Sequence, residues 1–73
     1  MNATPRTAKE WTRDAQARRR FVHVPSGQAG NLVGHCRNVG ILFLRYEHVG
    51  AVSLPVFERF PKAELVPETE VAR

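Results

Sequence analysis

Arg18-Arg19-Arg20 is the densest run of like charge in the 73-residue chain, and Arg6, Lys9 and Arg13 precede it. Guanidinium groups present fixed, forked donors that match phosphate and carboxylate oxygens, so this cluster suits nucleic-acid phosphates or an acidic protein surface. Trp11 lies within the cluster and, with Phe21 and Tyr46, offers a ring on which an unpaired base can stack. The same arginines have a plainer use. On a helix, consecutive residues fan around the axis instead of forming one patch, and cations at a helix C-terminus offset its dipole. Arg6, Lys9, Trp11, Arg13, Arg18, Arg19 and Arg20 are the candidate binding set.

Other chemistry-bearing residues point less far. His35-Cys36 pairs a base with a thiol, but adjacent residues of a strand face opposite ways. Cys36 shares a face with Leu32 and Gly34 under strict alternation, so it is expected to be a buried structural cysteine. His23, His35, Cys36 and His48 lack the close ligand pairs of a zinc site, and no metal or other cofactor is expected. Gly27-Gln28-Ala29-Gly30 has GxxG spacing, but it lies between two strand segments rather than two helices and lacks the Lys-Ser/Thr of a phosphate loop. No paired carboxylates and no Ser/His/Asp set stand out, so the chain is not expected to be an enzyme.

These residues have to be held by short elements. Thr7-Ala8-Lys9-Glu10 has the capping-box pattern, and it opens a helix expected to run from Ala8 to about Arg19, laid on the body by Ala8, Trp11 and Ala15. Met1 to Arg6 is expected to be loose. From Phe21 the texture becomes β-branched and aromatic. Strands are expected at Phe21–Val24, Asn31–Val39, Ile41–Glu47 and Ser53–Phe60, with Gly34 marking a bend or bulge in the second. Phe43, Phe57 and Phe60 are expected in the core. On the fourth strand Val52, Leu54, Val56, Glu58 and Phe60 share one side, and Phe57 and Arg59 the other. A helical turn at 61–64 and a closing strand at Leu65–Val66 follow. The chain thus divides into a basic arm or helix (1–20), a small β-barrel (21–67) and a tail (68–73).

Composition sets the limits. The chain is 42% apolar and 25% charged with a net charge of +4, which suits a folded domain rather than a disordered one. Residues 1–20 hold six basic side chains against two acidic ones, whereas the rest of the chain balances at five against five. A single cysteine allows no internal disulfide. With no secretory signal and no apolar run long enough to span a bilayer, a cytoplasmic setting is expected and a membrane is not. So small a core gains from self-association or a larger complex.

Four or five short strands joined by glycine-bearing turns indicate a mainly β chain, a small SH3-like five-stranded barrel preceded by one N-terminal helix. Leu32-Val33-Gly34-His35-Cys36 followed by Ile41-Leu42-Phe43-Leu44, then Val56-Phe57-Glu58-Arg59-Phe60 and Leu65-Val66-Pro67, resembles the Sm-like branch of these barrels, including the Hfq-type RNA chaperones. The resemblance spans residues 8 to 67. The turn after the second strand is shorter than the family's, and Glu58-Arg59 stand where Hfq-type RNA pockets have a lysine-histidine pair. The resemblance implies RNA binding, with ligand contacts from the loop after the first strand at Ser26, Gln28 and Asn31. The expectation is a binding module for RNA or single-stranded nucleic acid acting through the basic arm. The alternative is a protein-interaction or accessory subunit docked on an acidic partner, and a homo-oligomer is compatible with both.

Overall fold

A computed structural model describes residues 6–71; the expectations for residues 1–5 and 72–73 lie outside them. Helix α1 (Ala8–Gln16) is followed by β1 (Arg20–His23), β2 (Gln28–Cys36), β3 (Val39–Val49), β4 (Val52–Pro61), a 3-10 turn (Lys62–Glu64), β5 (Leu65–Pro67) and a second 3-10 turn (Glu68–Glu70). The strands form a single antiparallel sheet in the order β4-β3-β2-β1-β5. No ladder joins β4 to β5 among the described residues, so the structure gives an open mainly β sheet where a closed barrel was expected.

The capping box forms as the sequence predicts. The Glu10 amide donates to Thr7 Oγ1 at 3.2 Å, and the Thr7 amide donates to Glu10 Oε1 at 2.8 Å. That backbone bond holds the Glu10 carboxyl below its ordinary pKa. The helix stops earlier than expected, with Ala17 as its C-cap. Arg18 turns left-handed at φ 54°, its amide donating to the Ala15 carbonyl at 3.2 Å while the Arg19 amide donates to that of Asp14 at 3.0 Å. This paired closure usually uses glycine at the left-handed residue. Here the Arg18 guanidinium adds bonds to the carbonyls of Ala15 and Val33, both at 3.2 Å, which fasten the helix exit to β2.

Trp11, Ala15, Phe21, Leu32, Leu42, Phe60 and Leu65 form the core between α1 and one face of the sheet. Trp11 stacks on Phe21 with ring centroids 5.2 Å apart. Gly30 is buried where the backbone of Phe43 occupies the space a Cβ would need, so β2 and β3 approach closely there.

Two bulges decide which residues share a face. The β2–β3 register shifts between Leu32 and Gly34, and the β3–β4 register shifts between Phe43 and Arg45. The first takes Cys36 off the Leu32 face, and Cys36 is exposed, not buried as alternation implied. The second puts Phe43 and Tyr46, three residues apart, on one face, because Phe43 pairs with Phe57 and Tyr46 with Pro55. Phe60 is core as expected, but Phe57 is 51% exposed and Phe43 lies half-buried on the face away from the helix.

Candidate functional site

The β3–β4 hairpin runs eleven and ten residues along its two strands, past the part of the sheet that α1 covers. On its far face Phe43 meets Tyr46 edge-on at 4.9 Å between ring centroids and Phe57 at 5.5 Å. With Pro55 and Val33 they line an open groove of about 540 Å³, whose polar members are Arg18 and Asn31. Asn31 is fixed there because its amide donates to the Arg18 carbonyl at 2.9 Å. The register adds Arg59 two residues beyond Phe57 and His48 two beyond Tyr46, with His48 and Ser53 hydrogen-bonded at 2.9 Å. No strand residue on this face is acidic, whereas Glu47 and Glu58 belong to the opposite face. The arrangement offers ring faces and a guanidinium-amide end to a flat, anionic ligand.

The basic set of residues 6–20 is largely engaged within the protein. Arg6 pairs with the buried Asp14 and lies over the Trp11 and Phe21 rings, 5.1 and 5.3 Å from their centroids. Arg19 reaches Asp14 at 3.6 Å and Glu70 at 3.4 Å, and Arg20 reaches Glu68 at 3.1 Å. Lys9 and Arg13 stand exposed on the helix. Trp11 is 5% exposed and Phe21 fully buried, so neither ring is open to a base. Ser26 lies in the β1–β2 turn and Gln28 opens β2; Ser26 Oγ bonds His23 Nδ1 at 2.7 Å and accepts from the Gln28 amide at 3.2 Å. His23 is buried, stacked on Phe60 at 4.2 Å and bonded to Glu64 at 2.7 Å. Of the residues singled out from sequence, Arg18, Asn31 and Tyr46 meet at the aromatic groove.

A second cluster lies on the helix side. The Lys62 ammonium donates to His35 Nδ1 at 2.7 Å, and His35 Nε2 is 2.9 Å from Thr12 Oγ1. Burial and then the Lys62 charge lower the His35 pKa, and burial lowers that of Lys62. A neutral His35 therefore accepts from Lys62 and donates to Thr12. Among the described residues no three His, Cys, Asp or Glu side chains gather to hold a metal, and no helix is long and apolar enough to cross a membrane.

No family model, curated protein or solved structure matches this chain. The site therefore rests on its own geometry. Sequence reasoning missed Phe43, Phe57 and Pro55 as a surface. The available signal was the pairing of Phe57 with Arg59 on one side of the fourth strand together with an exposed Tyr46.

Proposed function

We propose that the protein is a non-catalytic binding module that takes single-stranded nucleic acid, RNA or DNA, on the open face of the β3–β4 hairpin. The observation that carries this reading is the contact group of Phe43, Tyr46 and Phe57, left open to solvent on a face whose strand residues include no carboxylate. Bases stack on such rings without regard to sequence, each worth about 1–3 kcal/mol. Arg18, Arg59 and Asn31 supply donors to the strand's phosphates and base edges, and Lys9 and Arg13 add attraction at longer range. The locus thus moves from the arm to the sheet, since Arg6, Arg19 and Arg20 already have acidic partners. Nucleophilic catalysis finds no support, because both His35 nitrogens are engaged and Cys36 faces away. The fold that accompanies this reading is an SH3-like barrel, supported by five antiparallel strands, a bulged second strand and a helical turn ahead of the last.

The test is fluorescence anisotropy with a labelled oligouridylate, a single-stranded DNA of the same length and the matching duplex. Single strands bind best, affinity falls as salt rises, and Phe57→Ala or Tyr46→Ala weakens binding about tenfold. Absence of binding at low salt, or unchanged affinity in both variants, refutes the reading. A second reading has its own observation. Among the described residues strand β4 pairs only with β3, and at the tip of this hairpin Val49, Val52 and Leu54 are exposed. An added strand from a protein partner fits that edge, and a stoichiometric protein that co-purifies and is lost in Leu54→Lys favours it.

A further inference from the structure

Lys62 is half-buried, and among the described residues it has no carboxylate partner. Its ammonium meets His35 Nδ1 at 2.7 Å and lies 5.3 Å from the Trp11 ring centroid. Its amide donates to the Asn38 carbonyl at 2.6 Å, which anchors it beside the β2–β3 turn. That turn carries Arg37, exposed, left-handed at φ 44° and without an ion pair among the described residues. Lys62, Arg37 and Asn38 line one groove of about 550 Å³ whose floor includes Trp11 and Leu65. Arg6 and Glu70 are also on its wall, but each is already paired, with Asp14 and Arg19 respectively. A cation withdrawn from water without a counter-charge is costly, and here two unpaired cations face one concave surface.

We infer that this groove is a binding site for a phosphate-type oxyanion held between Lys62 and Arg37, with the Asn38 amide as a further donor. The site lies on the helix side of the sheet, away from the aromatic groove, and does not depend on that groove's function. A phosphate monoester carries a charge of about −1.5 to −2 near neutral pH, which matches the two cations. The groups around Lys62 are His35, Arg37 and the Trp11 ring, with Cys36 near enough to act on its charge although it leaves the opposite face of β2. Bound phosphate therefore shifts the titration of both Lys62 and His35 upward, toward their charged forms.

The experiment is an NMR titration of the full chain with inorganic phosphate, following the Lys62 side-chain and His35 ring signals. Saturable shifts are expected, with both pKa values raised by about one unit. Arg37→Asn removes a surface charge and places at the left-handed position a residue that tolerates it. It should weaken phosphate about tenfold or more, as should Lys62→Gln. An unchanged response in Arg37→Asn, the same response to chloride at equal ionic strength, or no saturable shift overturns the site. Two sources of the anion separate in a further arm. A 5′-phosphorylated oligothymidylate that outcompetes its unphosphorylated form supports a strand terminus as ligand, and equal competition by the two supports free phosphate. Loss of oligonucleotide binding in Phe57→Ala leaves the phosphate response intact, so the two proposals fail separately.

Discussion

Phe21 and Phe57 belong to the same sheet and differ in almost everything else. Phe21 is fully buried, stacked on Trp11 and overlaid by Arg6, whose charge is answered by Asp14. Phe57 is half-exposed, touches Phe43 and has no helix above it. On the covered face Arg6, Arg19 and Arg20 are matched by Asp14, Glu68 and Glu70. On the open face Arg59 has no ion pair among the described residues. One face buries its aromatic area in the core, and the other leaves it open to solvent. Net charge alone conceals this, because half of the arm's excess of four is answered by Glu68 and Glu70, which follow β5 some fifty residues later.

The sharpest way to break this contrast is to truncate both rings. Phe21→Ala should cost about 3–5 kcal/mol in urea unfolding, as for other buried phenylalanines. Phe57→Ala should cost about 1 kcal/mol, in keeping with its half exposure. Equal losses would mean that the open face is packed in solution. Next in size is Asp14→Ala. It strands Arg6 and leaves Arg19 with Glu70 alone, and should cost about 2–3 kcal/mol. That is below the about 3–5 expected for a fully buried pair, since Arg19 is one-third exposed. Loss of helical circular dichroism with the sheet signal retained would show that α1 can detach. Thr7→Ala removes the cap and should cost about 1 kcal/mol in the same denaturant series.

The smallest effect is a pH dependence on the covered face. The folded-state pKa of His35 lies below its ordinary 6.5. The unfolded chain then binds more protons from about pH 6.5 down to the lowered value, so stability is full above this window and falls as pH drops through it. Lys62, also lowered, acts in the same direction but in the alkaline range below its ordinary 10.5. Thermal melts between about pH 7.5 and 5.5 should show a falling Tm that flattens in His35→Asn. An unchanged slope in that variant would remove His35 as its source.

Much of the fold was legible because local signals were strong. Thr7 and Glu10 announced the helix start, Pro25-Ser26-Gly27 and Gly50 the turns, and Ile41 to Leu44 a strand apolar on both sides. The helix end was misread because Arg18 occupies a left-handed position that glycine usually marks. The site was half legible. Tyr46 was named as a stacking ring, and Arg18 and Asn31 were named for contacts made by an arm and a loop. Strict alternation sets Phe43 and Tyr46 on opposite faces, and only the extra residue in β3 unites them. Trp11 was read both as the residue that docks the helix, which it is, and as a ring open to a base, because a lone tryptophan on a polar helix looks the same in sequence whether it meets solvent or a core.

The irregularity at Leu44 makes the hairpin's outer half sensitive to length rather than to composition. Adding one residue beside it would leave every ring in the chain yet roll the outer half of β3 over like a turned page. Tyr46 and His48 would then look toward the helix side, while Arg45 and Glu47 came round beside Phe43. A relative lengthened by one position here could keep every side chain and still present a different surface.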